Sequence, residues 1–255
     1  MTRTIILLAT FVAATLGLKA QDHLSALIPM PNHIEQPQGK PFRFVEGRTA
    51  IAYPTEEQRF VAETLADIFM QRTGISIPLA TDSKKADITL AIDPTLQGEE
   101  HYRIHITRKG IALTGSTTEA LYRAAMTIDQ LLMGDTHATA RGEMTPITID
   151  DTPRYERRAM MLDPARHFLP VADVKHFIDQ MAKFKYNVLQ LHLTDDQGWR
   201  VAIHSQPRLA SPQHYTQDEL RDIISYAAQR HIEVVPEVDI PGHTVAILAA
   251  YAELC

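Results

Sequence analysis

Apolar positions along the first half of the chain change period twice. In TEEQRFVAETLADIFMQRTG, Phe60, Val61, Leu65, Ile68 and Phe69 recur at helical spacing and share one face. Thr55 with Gln58 predicts a capping box at the start of that helix, and Gly74 predicts its end. The period then falls to two in ADITLAID, YRIHIT and IALTG, which predicts short strands with turns at Gln97-Gly98 and Lys109-Gly110. STTEALYRAAMTIDQLLM returns to helical spacing, with Leu121, Ala125, Ile128 and Leu132 as its stripe and Ser116 paired with Glu119 at its cap. These pieces predict a compact α/β unit spanning residues 40–135, preceded by a Pro-rich extended lead-in.

After the link DTHATARGEMTPITIDDTPRY the rhythm becomes strand, loop and long helix, repeated. RAMMLD leads to PARHFLP and the helix VADVKHFIDQMAKF, with Val174, Phe177, Ile178 and Met181 facing inward. NVLQLHL leads to HLTDDQGWR and the helix TQDELRDIISYAAQR, and IEVVPEVD leads to IPGH and the start of a third helix. Parallel β/α units of this size build a doubly wound sheet or a (β/α)8 barrel, and both place ligands at the carboxyl ends of the strands.

Those strand ends carry the chemistry. Asp163 to His167, Asp195 with Asp196, and Glu237 to His243 all fall just past a predicted strand. Any one polar loop is unremarkable, because loops at strand ends are polar in general. Ionisable side chains at three successive exits from buried strands point instead to a site.

Composition narrows the ligand. The 255 residues are 45% hydrophobic and 22% charged, an ordinary globular balance. A net charge of -6 with no basic run excludes a nucleic-acid partner and suits a neutral ligand. At the N-terminus Arg3, the apolar stretch Ile5 to Leu18 and Ala20 before Gln21 have the layout of a secretory signal peptide over residues 1–20. The stretch is short for a membrane span, although an anchor or a buried helix shares the pattern. The expectation is an exported bacterial protein, periplasmic or extracellular, with no membrane span in the mature chain. Cys255 is the only cysteine, so no internal disulfide forms.

MMLDPARHFLP, NVLQLHLTDDQGWR and VVPEVDIPGHTVAILAAYAEL together resemble the family 20 glycoside hydrolases, the β-N-acetylhexosaminidases. The resemblance implies a small non-catalytic α/β domain with lead-in and linker over residues 21–150. It further implies the first three β/α units of a (β/α)8 TIM barrel, truncated, over residues 151–255. By that resemblance Arg166 holds the hydroxyls of the non-reducing sugar, for which a planar guanidinium fork is suited. A structural ion pair to Asp163 or Glu156 is the competing reading. Asp195, Asp239 and His243 match the group that orients the acid catalyst, with a carboxylate fixing one imidazole tautomer. For His243 a satisfied, loop-capping histidine is the alternative. Asp196 is read as holding its own loop and Trp199 as packing. His176, His204, His214 and His231 are read as surface or boundary residues, and the register of His192 is open.

The family's reaction is a retaining hydrolysis assisted by the substrate's own acetamido group, with an Asp-Glu pair at the fourth strand and no cofactor. The sequence stops twelve residues after His243. The one Asp-Glu dipeptide, Asp218-Glu219, reads as part of a capping box with Thr216. The expectation is therefore an N-terminal fragment, inactive alone, of an enzyme acting on N-acetylhexosamine-containing glycans or chito-oligosaccharides. A non-catalytic carbohydrate-binding or inactive truncated product is the alternative. A metal-dependent hydrolase built on His192, Asp195, Asp239 and His243 is less favoured, because no His-x-His or His-x-x-x-His pair sits at a strand end.

Overall fold

A computed structural model describes residues 22–254; the expected signal peptide and Cys255 lie outside them. The chain divides into two units, Met1–Pro153 and Arg154–Cys255.

The first unit is built on a seven-stranded mixed sheet. Its strands are β1 (His33–Glu35), β3 (Ile51–Ala52), β4 (Leu79–Ala80), β5 (Ile88–Ile92), β6 (Tyr102–Thr107), β7 (Gly110–Gly115) and β9 (Ile147–Asp151), in the order β1-β9-β6-β7-β5-β3-β4. A separate antiparallel pair joins β2 (Phe42–Arg43) to β8 (Glu143–Met144). The period-two segments became β5, β6 and β7, and β6 buries alternate residues Tyr102, Ile104 and Ile106. The stretch read as a link is more ordered than its composition suggested. It contributes β9 to the sheet interior, between β1 and β6. Its alternating burial over ITIDD is short and flanked by Pro and Thr, which masked it as a strand.

Helix α1 (Arg59–Thr73) buries Val61, Ala62, Leu65, Ile68 and Phe69, and ends at Gly74 in the left-handed region, φ 72°. Phe60, placed in the stripe by spacing, is only half-buried. Helix α2 (Thr118–Gly134) packs on both α1 and the sheet, so burial runs right round it from Ala120 to Leu132. Its cap is Thr117, whose side chain accepts from the Ala120 N–H, and not Ser116. The short helix α3 (Thr136–Ala140) follows.

The second unit holds a three-stranded parallel sheet, β10 (Ala159–Leu162), β11 (Val188–His192) and β14 (Glu233–Glu237), with β11 in the middle. Helices α4 (Val171–Lys183) and α5 (Gln217–Gln229) make the crossovers. Buried Val174, Ile178 and Met181 form the inner face of α4, while Phe177 is half-buried. A capping box opens α5: Thr216 N–H donates to Glu219 at 2.8 Å and Glu219 N–H to the Thr216 hydroxyl at 3.1 Å. Asp218 and Glu219 are therefore helix-cap residues. A short helix, α6 (Val245–Ala250), lies near the chain end. Of the three sheet strands β11 is the most buried, with only Gln190 partly exposed; β10 exposes Met160 and Met161.

Candidate active site

Parallel strands exit at one edge, and backbone bonds hold the three exits together. Ala165 N–H donates to the His192 carbonyl at 3.2 Å, and Leu193 N–H donates to the Glu237 carbonyl at 3.1 Å. Beyond β11 the chain does not enter an irregular loop. It folds into a two-strand ribbon, β12 (Thr194–Asp195) against β13 (Gly198–Trp199), which turns Asp195 back over the sheet.

Asp195 is 2% exposed and accepts from four donors. Its Oδ1 receives the Asp196 N–H at 2.6 Å and faces His243 Nδ1 at 3.2 Å. Its Oδ2 faces Arg166 Nη2 at 2.6 Å and His192 Nε2 at 3.1 Å. Burial alone would raise the carboxyl's pKa, but these donors and the Arg166 charge overcome it and hold it at about 2. Asp195 is thus a fixed anion at any physiological pH.

His192, whose register was open, points into the site. Both ring nitrogens face carboxylates, Nε2 toward Asp195 and Nδ1 toward Glu237 at 3.0 Å, so both contacts are satisfied only when both nitrogens donate. Burial opposes the charged ring, yet Asp195, Asp163 and Glu237 together raise its pKa above the usual histidine value. Gln190, two residues earlier on the same face of β11, donates to the other oxygen of Glu237.

Arg166 makes the ion pair to Asp163 that its competing reading expects. Its Nη1 pairs with Asp163 at 2.6 Å while Nη2 pairs with Asp195, and Glu156 makes no ion pair with it. The bond to Asp163 raises the Arg166 pKa, with Asp195 adding to it. Two carboxylates orient the fork, and the side chain stays 47% exposed, which leaves guanidinium N–H groups for a ligand.

His243 sits at φ 56°, a left-handed conformation that costs a non-glycine residue free energy and marks a constrained position. Of the two carboxylates grouped with it, Asp195 is the one that faces its ring. Asp239 lies on the other side of the cluster, where its carboxylate, Glu237 and His192 bring ligand atoms within 4.8 Å of one another. Its backbone N–H donates to the Thr194 hydroxyl at 3.1 Å. The Asp196 carboxylate, read as holding its own loop, instead accepts from the Val245 N–H at 3.2 Å and so reaches the start of α6. Trp199 is buried packing, with its indole N–H on the Val201 carbonyl at 2.8 Å.

Sequence reasoning missed Arg200 and the pairing role of Gln190. Arg200 is buried and donates to the carbonyls of Ala165 at 2.9 Å and Gln213 at 2.9 Å, tying the Arg166 loop to the ribbon. A Cβ on Gly198 would strike its guanidinium, so a side chain there would push Arg200 off its present carbonyl partners. The polar residue alternating with His192 was the available signal for Gln190.

Two sets of three could offer ligands to a cation: His192, Glu237 and Asp239, and Asp195, Asp196 and His243. In the first set His192 and Glu237 already bond one another, and in the second Asp195 already accepts from Arg166 and His192. A cation would have to displace Arg166 or a His192 proton.

Comparison with known proteins identifies the family of the chain. The profile of glycosyl hydrolase family 20, domain 2, matches residues 24–152, and that of glycosyl hydrolase family 20, catalytic domain, matches residues 155–255. The chain is 38% identical to a beta-hexosaminidase of Vibrio furnissii, covering 89% of this chain and 39% of that protein. It is 33% identical to one of Porphyromonas gingivalis, with 89% and 32% covered. Among solved structures, the N-acetyl-beta-hexosaminidase of Streptomyces plicatus superposes with a TM-score of 0.82 at 39% identity, over 91% of this chain and 49% of that one. The family 20 β-N-acetylhexosaminidase of Streptomyces coelicolor gives 0.83 at 40%, over 91% and 50%. The chain thus spans a third to a half of the length of these relatives, and on the match of both domains it belongs to glycosyl hydrolase family 20.

Proposed function

We propose that this chain is the N-terminal portion of a β-N-acetylhexosaminidase, an exo-glycosidase releasing terminal β-linked N-acetylglucosamine or N-acetylgalactosamine from glycans or chito-oligosaccharides. The observation that carries the reading is Asp195, a buried anion that holds Arg166 and His243 side by side with their outer faces open. Arg166 binds two ring hydroxyls of the non-reducing sugar. His243, fixed on its Nδ1 side, presents its Nε2 side to a general acid/base, and Asp239 closes the cluster from β14. In the reaction the substrate's acetamido oxygen attacks the anomeric carbon as the acid protonates the leaving oxygen. Water then opens the cyclic intermediate with retention. The Asp-Glu pair for those steps is supplied from beyond residue 255, and the protein is exported.

Two assays test this. The protein that carries this chain at its N-terminus hydrolyses an aryl N-acetyl-β-glucosaminide and loses that activity on Arg166→Ala; no turnover by it would sink the reading. The 255-residue chain alone gives none. A non-catalytic sugar-binding protein is the second reading, favoured if neutral N-acetylglucosamine binds without any hydrolysis.

A further inference from the structure

Away from that site, the first unit has a cleft of about 550 Å³ into which Arg43, Arg48, Arg108 and Lys109 project with a single carboxylate, Asp87. The volume is within the roughly 300–1,000 Å³ typical of small-molecule sites. In a chain with 31 acidic and 25 basic residues, four cations against one acid is a local reversal of charge. The cations come from two stretches some sixty residues apart in sequence, so the grouping is made by the fold. Arg43 lies on β2, Arg48 on the turn after it, and Arg108 and Lys109 in the β6–β7 hairpin turn.

Neither Arg48, Arg108 nor Lys109 makes a side-chain hydrogen bond or ion pair among the described residues. Arg43 gives its Nε–H to Glu143 at 2.6 Å, and Arg141 donates to the other oxygen of Glu143, so that acid is already shared between two guanidinium groups. The backbone presenting these cations is fixed. Arg48 and Thr49 N–H groups donate to the Val45 carbonyl, and the Thr49 hydroxyl accepts from Val45 N–H at 2.9 Å. On the other wall, Lys109 N–H donates to the Thr107 hydroxyl at 3.2 Å, and Gly110 packs so closely on the Asp87 carbonyl that no Cβ fits. With Arg43 sharing Glu143 and Asp87 the single carboxylate of the cleft, the four cations outnumber the acids near them, and a bound anion offsets the remaining repulsion.

We propose that this cleft binds an anionic saccharide, through sulfate or carboxylate groups on adjacent sugars. That the ligand is a saccharide rests on the hydrolase reading; that it is an anion rests on the cleft. The apolar Pro41 and Val45 beside the cations offer a surface for a sugar ring. A nucleic acid is disfavoured, since the cleft has four cations and its one aromatic, Phe42, is buried and gives no stacking platform. The site would tether the enzyme to glycans whose neutral ends the other unit trims.

Calorimetric titration of the protein that carries this chain tests this with a sulfated heparin-derived tetrasaccharide and its desulfated counterpart. Inorganic sulfate, anionic phospholipid vesicles and a 20-mer oligonucleotide are titrated beside them. The sulfated tetrasaccharide binds and weakens with added salt, and the desulfated one does not bind. Arg48→Glu with Lys109→Glu, both on exposed turns, weakens binding at least tenfold with the circular dichroism spectrum unchanged; Arg166→Ala has no effect. No binding by the native protein, or equal binding by the double variant, overturns the site. Sulfate matching the tetrasaccharide, or tighter binding of vesicles or oligonucleotide, overturns its assignment to a saccharide. Because Arg166 and a neutral glucosaminide test the hydrolase reading, the two can fail independently.

Discussion

Arg123 in the first unit and Asp195 in the second are each almost fully buried and each held by opposite charges, but their surroundings differ. Arg123 bonds Glu100 at 2.7 Å and Glu119 at 2.6 Å, joining α2 to the turn before β6 and to its own preceding turn. Nearby, Arg72 closes on Asp129 through two bonds, at 2.6 and 3.1 Å, and so clamps α1 to α2. These pairs face inward and close on themselves. Asp195 instead gathers partners from all three strand ends, and two of them, Arg166 and His243, remain about half exposed. Burying an anion is costly unless donors surround it. In the first unit the compensation fastens secondary structure; in the second it leaves hydrogen-bonding capacity pointing outward. The location of the outward capacity, more than the burial of charge, separates a site from a clamp.

Substitutions at those two residues sharpen the contrast most. Asp195→Asn removes the charge but keeps the shape, leaving Arg166 and His192 without their shared anion. The second unit is expected to lose about 3–5 kcal/mol, the usual cost of breaking a buried pair. Trp199, the single tryptophan and itself buried, reports that unit's urea unfolding by fluorescence. Arg123→Met is expected to cost a similar amount in the first unit, seen by circular dichroism, with the Trp199 transition unmoved. A Trp199 midpoint that ignores Asp195→Asn would remove the buried hub from the account.

Next in size is Arg166→Lys. An ammonium keeps the charge and loses the fork, so kcat/KM of the protein carrying this chain should fall about 10²-fold while stability shifts by under ~1 kcal/mol, as for a partly exposed pair. Unchanged kcat/KM would mean that Arg166 only braces Asp163.

How much of this was legible beforehand divides along the same line. Strand ends, most of each helix stripe and the capping boxes at Thr55 and Thr216 follow from local spacing, and the fold keeps them. Thr117 displaced Ser116 as the α2 cap because a one-residue choice among adjacent hydroxyls is decided by tertiary entry angle. β9 was hidden because its pairing partners β1 and β6 are distant in sequence. At the site, the three motifs named Arg166, Asp195, Asp239 and His243, yet which carboxylate holds His243 depends on the ribbon β12–β13 that folds Asp195 inward. His192 could not be placed without the β11 register, and Arg200 bonds only backbone carbonyls, which leave no trace in sequence.

The pH dependence of stability follows from the same hub. Asp195 has its pKa lowered to about 2 from an unfolded value near 3.9. Its contribution is therefore present above pH ~4 and is lost as pH falls toward 2. His192 is raised above its unfolded value of about 6.5, so its contribution is complete below that pH and fades as pH rises through the folded value. Urea midpoints followed through Trp199 should be highest between about pH 4 and 6.5. His192→Gln should flatten the alkaline side; the same alkaline decline in that variant would detach it from His192.

The smallest effect tests the first unit's helix cap. Ser116 and Thr117 are neighbours that the sequence cannot rank, but the fold uses them oppositely. Thr117 accepts from Ala120 N–H at 3.1 Å and donates to the Glu99 carbonyl at 2.6 Å. The Ser116 hydroxyl is buried with no partner. An unpaired buried hydroxyl contributes no compensating bond, so Ser116→Ala should be neutral or stabilising by under ~1 kcal/mol. Thr117→Ala should cost about 1 kcal/mol, the worth of a cap. Both are read by circular dichroism melts, with Trp199 silent. Equal losses from the two would mean that Ser116 finds a partner in solution and that the cap is shared.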